Sequence, residues 1–179
     1  RAGVRRVRWA VRGLRALPGL GGGRPGHGPR PLLSYVVPTA REAGIWGAGG
    51  LPMARGTLYA GVGNGAATGG AYDDSDSVTA LSPGLHRTGI FAPAIWAADN
   101  ANDLDLGSLS PVLLPSGLVL TVGKRGVGYL LDGARLGGVG RQLAQGPVCP
   151  AFGGAAVRGA VAYVPCASGG MAAVDTAGR

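Results

Sequence analysis

Charge is scarce in this chain of 179 residues: Lys, Arg, Asp and Glu together make up 15% of it. Lysine occurs once, at Lys124, against sixteen arginines. Histidine occurs twice, as His27 and His86, which argues against a His-based zinc site. No Ser-His-Asp arrangement for acyl transfer is apparent. No uninterrupted apolar run reaches the ~18 residues that a membrane-spanning helix needs. What the chain has in excess is glycine, 36 of 179 residues against a usual ~7%. Short runs of Leu, Val, Ala and Tyr are interleaved with those glycines. Low-complexity disorder would lack such runs, whereas many short strands joined by tight turns produce them. The length suits one domain of ordinary size.

The formal charge of +8 suggests a nucleic-acid partner until it is located. Eight arginines and no acid lie in residues 1–30, and the remaining nine basic residues are balanced by nine acids. The body therefore carries no net charge with which to neutralise phosphates, and no nucleic-acid partner is expected. The basic stretch has neither strand alternation nor a helix with a continuous apolar face. Three readings compete for it: a targeting arm, since "GVRRVRW" faintly resembles a twin-arginine signal; a disordered, solvated tail; or an out-of-frame translation of GC-rich DNA. The third is the expectation carried forward. Read one base along, the segment permits a strand, an Asp-Cys-Gly turn and a second strand. No function is assigned to Arg5, Arg6, Arg8 or Trp9. The chain opens on Arg rather than Met, which leads us to expect a fragment or a processed product.

From Pro31 onward the expected organisation is short strands. They are "LLSYVV" (32–37), "GTLYAGVG" (56–63), "DSVTALSP" (76–83) and "RTGIFAP" (87–93). Then come "LSPVLL" (109–114), "LVLTVGK" (118–124) and "GVGYLLD" (126–132), and after them "AFGGAAV" (151–157), "AVAYVPC" (160–166) and "GGMAAVD" (169–175). Asp132 and Asp175, which close equivalent strands, lie 43 residues apart, and the turn glycines Gly117 and Gly159 lie 42 apart. A period of ~40–45 residues with four short strands per repeat is the pattern of a β-propeller blade. A β-sandwich also has short, regularly spaced strands, but two matching landmarks favour the propeller. The expected fold is all-β: a partial β-propeller of about three four-stranded blades over residues 31–179. Propellers close with ~4–8 blades. The rest of the ring is therefore expected to be missing or supplied by another chain, leaving apolar edges open to aggregation.

In such a blade the loop between the second and third strands shares one end of the ring with the connection to the next blade. The loop 63–75, the connection 94–107 and the turn 123–126 then fall on that end. They carry Asn64, Trp96, Asp103, Asp105, Lys124 and Arg125. No basic residue lies between Arg87 and Lys124, so the acids of "NANDLDLG" have no neutralising neighbour in sequence. Carboxylate and amide oxygens suit a hard cation such as Ca²⁺, and an Asp beside a metal can act as a general base. Lys124 could hold an anionic or quinone oxygen.

Taken together, "GTLYAGVGNG", "DLDLGSLSPVLL" and "VGKRGVGYLLD" resemble the pyrroloquinoline-quinone (PQQ) propeller family. The closest likeness is to actinobacterial PQQ-binding-like repeat proteins related to quinoprotein alcohol and polyvinyl-alcohol dehydrogenases. The resemblance covers roughly residues 31–179. It implies that Asn64 ligates Ca²⁺ beside the quinone. It implies that Asp105, or Asp103, is the catalytic base, with Asp105 also near the metal, and that Lys124, with Arg125, contacts the cofactor. The activity it implies is oxidation of an alcohol or a polymer by hydride abstraction. The family's Trp floor for the quinone and its Glu metal ligand are not recognisable here, and "GSLSP" has one residue too many. The alternative is a non-catalytic PQQ-like propeller, a binding or assembly scaffold with a protein partner.

Several residues have plainer readings. Asp132 and Asp175 are expected to close turns, and Asp73, Asp74 and Asp76 in "YDDSDS" to form a solvated turn rather than a cation loop. Trp46 and Trp96 are expected to pack between strands. Gly63 and Gly65 precede no helix and so form no phosphate loop. Cys149 and Cys166 are expected to face each other across a hairpin centred on Val157–Arg158. That spacing suits a disulfide and implies a secreted or cell-envelope location.

Overall fold

In the computed structural model, residues 33–178 are described, so the basic segment 1–30 and its out-of-frame reading lie outside them. The described residues are all-β apart from two short turns of helix. Among the described residues the strands form three mainly antiparallel sheets, each assembled from strands nearly consecutive in sequence, and none closes on itself. The first sheet runs β1 (Met53–Ala54), β2 (Thr57–Val62), β3 (Ser77–Leu81) and β4 (Arg87–Ala92). A helix α1 (Trp96–Ala101) and a 3-10 turn (Leu106–Ser108) then lead to the second sheet. That sheet runs β5 (Val112–Leu113), β6 (Leu118–Val122), β7 (Val127–Asp132) and β9 (Ala144–Pro147). On its way from β7 to β9 the chain lays β8 (Gly138–Val139) parallel against β4. The third sheet runs β10 (Ala156–Arg158), β11 (Val161–Pro165) and β12 (Met171–Asp175).

Turn chemistry sets the hairpins. Arg55 and Gly56, both at positive φ, close β1 onto β2 with the two-residue geometry that matches strand twist. Period-2 alternation then divides each central strand between two apolar layers. Tyr59, Val78 and Phe91 of the first sheet pack against Val119, Tyr129 and Leu131 of the second. Leu118, Leu120 and Leu130, on the opposite face of the second sheet, pack against Ala162 and Val164 of the third. The second sheet is thus apolar on both faces and sits between the other two.

The 43-residue spacing reappears in the hydrogen-bond register. Leu118 pairs with Asp132 in the second sheet, and Val161 pairs with Asp175 in the third, each residue displaced by 43. The first strands of these sheets are displaced by 44 instead, Val112 to Ala156, because the turn between first and second strand is shorter in the third sheet. Beyond the Leu113–Val119 pair, Leu114 donates its N–H to Leu118 O and leaves a turn of three residues, whereas Arg158 pairs with Val161 across two.

Three expectations need correction. "LLSYVV" is not a strand: residues 33–39 run irregularly, with Val36 and Leu33 exposed and Val37 packed on Val62. Pro38 follows, and the backbone groups of Ala43 and Gly44 pair instead with Asn64 and Gly63. The third-sheet hairpin turns at Gly159–Ala160, two residues beyond Val157–Arg158. Cys149 and Cys166 are therefore not direct ladder partners; Cys166 bridges to Ala151. They are nonetheless disulfide-bonded, with Cα atoms 5.6 Å apart. Finally, Asp76 is wholly buried rather than part of a solvated turn. Among the described residues no helix is long and apolar enough to cross a membrane.

Candidate functional site

Three segments meet at one end of the first two sheets: the β2–β3 loop with Asn64, the β4–β5 connection with Asp103 and Asp105, and the β6–β7 turn with Lys124. The convergence begins in the backbone. Asp105 precedes the 3-10 turn and is wholly buried between the ends of β2 and β6. It fits there because its neighbours are glycines. A Cβ on Gly63 would lie 2.5 Å from Asp105 Oδ1, and a Cβ on Gly123 would overlap the Asp105 main chain. The Asp105 carbonyl accepts the Lys124 N–H at 3.0 Å.

Each carboxylate oxygen of Asp105 has its own partner. Oδ1 accepts the backbone N–H of Asn64 at 2.7 Å. Oδ2 is ion-paired with the Lys124 ammonium. The same ammonium reaches Asp103 Oδ2 at 2.9 Å and lies 5.6 Å from the ring centroid of Trp46. Asp105 is sealed in, whereas the Asp103 side chain is 73% exposed. Burial would lower the Lys124 pKa, but hydrogen bonds and charge from Asp105 and Asp103 outweigh it and raise the value. Lys124 in turn holds the exposed Asp103 below the usual carboxylate range. The structure thus brings together Asn64, Asp103, Asp105 and Lys124. Asn64 takes part through its main chain.

Arg125 turns the other way. Its guanidinium pairs with Asp99 of α1, donating from Nε and Nη2 to one oxygen. Asn100, next on that helix, accepts the Gly65 N–H at 2.7 Å and donates to Ala67 O at 2.6 Å and Ser75 Oγ at 2.8 Å. It thereby pins the loop that carries Asn64. Trp96 of the same helix is buried edge-on against Tyr72, as packing requires, while Trp46 is half exposed under Lys124. Helix α1 was not visible in the sequence. Its signal is the Ala-rich stretch after Pro93, too short to show a period.

Asp76 lies one layer deeper. Its Oδ1 accepts the Leu106 N–H at 2.9 Å, which fixes the turn that follows Asp105, and its Oδ2 has no protein partner. Burial raises its pKa to about 7, the Leu106 N–H opposes this, and the charges of Asp99 and Asp105 add to it. Asp73 and Asp74 stay nearer the surface, capping Ser75 and pairing with Arg87 at 2.6 Å. Asp132 and Asp175 each accept a backbone N–H two residues on, as expected of turn residues. His86 sits in the exposed β3–β4 turn.

A calcium ion takes six to eight oxygens at roughly 2.3–2.6 Å. The cluster does not supply them: both Asp105 oxygens are engaged, and the Lys124 ammonium sits between the two carboxylates, where a cation would go. Among the described residues no group of three or more His, Cys, Asp or Glu is arranged to hold a metal. In this arrangement the residues do not fit a Ca²⁺–quinone centre. No family model matches the chain, and no curated protein matches it.

Proposed function

We propose that residues 31–179 are a segment of a PQQ-like β-propeller that acts as a non-catalytic scaffold, binding or assembling a partner outside the cytoplasm. The propeller reading is supported by three sheets made of consecutive strands, stacked face to face, two of them in a shared 43-residue register. The observation that carries the scaffold reading is the engagement of Lys124. Its ammonium is ion-paired with both Asp103 and Asp105, so neither the base nor the cofactor-binding cation of a dehydrogenase is free. The Cys149–Cys166 disulfide favours an oxidising compartment.

One observation favours the dehydrogenase. Asn64 and Asp105, 41 residues apart, are joined directly by a hydrogen bond beside Lys124, in the positions the family resemblance assigns to ligand, base and quinone contact. Titration of the full chain with PQQ, with and without Ca²⁺, separates the two readings. Tryptophan emission, with Trp46 beside Lys124, reports binding, and an artificial electron acceptor reports alcohol oxidation. The scaffold reading expects no saturable quenching and no alcohol-dependent reduction. Saturable, Ca²⁺-dependent quenching that disappears in Asp105→Ala would overturn it in favour of the enzyme.

A further inference from the structure

Among the described residues, the ion pairs between side chains draw on Arg87, Lys124 and Arg125 alone. Arg41, Arg55, Arg135, Arg141 and Arg158 are exposed and have no acidic partner among the described residues. All of these except Arg41 follow one groove. It crosses the end of the sheets opposite Lys124 and consists of three clefts, of about 510, 420 and 290 Å³. Neighbouring clefts share walls: Thr57 and Ala134 belong to the first and second, Ser116 and Leu118 to the second and third. Arg135 lines the first cleft and Arg55 the second. Arg141 adjoins Gly137 of the first, and Arg158 precedes Gly159 of the third. Thr57, Ser82, Thr88 and Ser116 add hydroxyls. Gly56, Gly89 and Gly117 leave stretches of wall without side chains. Asp132 is the one acid in the lining, and its carboxylate already accepts the Ala134 N–H. The remaining acids of the β2–β3 loop and the β4–β5 connection gather at the Lys124 end, so charge is divided between the two ends of the sheets.

We propose that this groove binds a linear acidic polysaccharide, whose carboxylates are held by Arg55 and Arg135 and flanked by Arg141 and Arg158. The planar guanidinium fork matches a carboxylate with two parallel hydrogen bonds. The hydroxyls between the arginines exchange hydrogen bonds with sugar hydroxyls. Three adjoining clefts suit successive units of a polymer rather than one small molecule, and the glycine walls let sugar rings approach the backbone. A nucleic acid is disfavoured because residues 31–179 carry no net charge, and the disulfide favours a compartment where envelope polymers are met. The proposal names a partner class for the scaffold reading and rests on that reading only for this role. The groove lies at the opposite end from Lys124, so the quinone titration and the experiment below fail independently.

The probe is fluorescently labelled polygalacturonate, a uronic-acid polymer, titrated with the full chain, with dextran as the uncharged control. Saturable binding that weakens with added salt is expected, and none to dextran. Arg55→Gln combined with Arg135→Gln should weaken binding roughly tenfold, the loss of two exposed ion pairs. Arg41→Gln should leave it unchanged, because Arg41 lies at the other end, beside Glu42, which bridges to Gly65. In the parent chain the amide shifts of Thr57, Ser116 and Ala134 should move during the titration while that of Lys124 stays in place, a readout that does not depend on how the variants fold. Absence of saturable binding would overturn the proposal. So would binding that the double variant retains and that leaves the groove shifts in place, because the basic segment 1–30 would then carry it. Tighter binding of duplex DNA or of anionic phospholipid vesicles, with the same groove shifts moving, would also overturn it, because the occupant would then belong to another class.

Discussion

Asp76 occupies an unusual place for an acid, at positive φ (42°) at the entry to β3 and shut away from solvent. Its burial, relieved only in part by the Leu106 N–H, lifts its pKa from 3.8 to about 7. The folded protein therefore keeps a proton there that the unfolded chain releases near pH 4. For a group shifted upward, the folded state binds more protons, so stability falls as pH rises from about 4 to about 7 and is level beyond. Asp76→Asn retains an oxygen for the Leu106 N–H and removes the titration. Its unfolding free energy should fall less steeply across that window than the parent's. At pH 8 it should exceed the parent's by an amount on the order of 2–4 kcal/mol, since each tenfold change in proton affinity corresponds to ~1.4 kcal/mol. Urea unfolding of both proteins at pH 4.5 and pH 8 checks this, and a parent curve that rises with pH would contradict it. The burial of Asp76 was not legible beforehand, because "YDDSDS" has the composition of a solvated turn. What removes it from water is the Asp105 connection, which arrives from thirty residues further along the chain.

At the level of the element, legibility followed the apolar pattern. The strands β2, β3, β4, β6, β7, β11 and β12 fall within the short apolar runs picked out from the sequence, and the structure has strands at each. β1, β8 and β9 are two to four residues long, and β9 reads Ala-Gln-Gly-Pro, a sequence with no apolar face. Such edge strands exist because a neighbour offers hydrogen bonds, so no local pattern encodes them. "LLSYVV" failed in the opposite way: it is β-branched and apolar, but no ladder is available to it. The disulfide illustrates a correct pairing reached through a wrong register. The segment leading into β10 bridges Ala151 to Cys166 and is then diverted at Gly153, at positive φ, which donates its N–H to Ser108 O. The resulting slip brings Cys149 to Cys166. The bond closes a loop with a separation of 17 residues. Loops near that size gain about 3 kcal/mol from restriction of the unfolded chain. Replacing both cysteines by serine should lower the unfolding free energy by roughly that amount. The effect should be read in non-reducing denaturant melts, and reductant should destabilise the parent but leave the double variant unchanged.

Across the whole molecule, cohesion is distributed unevenly. The second sheet is apolar on both faces and is packed from both sides, while among the described residues the third is covered on one side only. Stacks in which each layer touches only its neighbours unfold from the less covered end. Amide exchange should therefore be slowest in β6 and β7, faster in β11, and fastest in β12, by at least tenfold between β6 and β12 if the layers open separately. Equal rates throughout would mean that the sheets open as one unit. The meeting of Asn64, Asp105 and Lys124 could be anticipated from topology alone, because alternate connections of up-and-down strands share an end. What topology could not supply was the charge balance within the group, which depends on where one ammonium settles.

The fit of Asp105 against Gly63 constrains how this chain can drift. A methyl at residue 63 collides with the carboxylate, so mutations there are filtered for as long as the acid remains. Once residue 105 shrinks, alanine or serine at 63 becomes tolerable, and restoring the aspartate is then obstructed. Loss of the acid is easy to make and hard to reverse. Lineages that abandon it should accumulate side chains at 63, a historical trace that outlasts the lost contact.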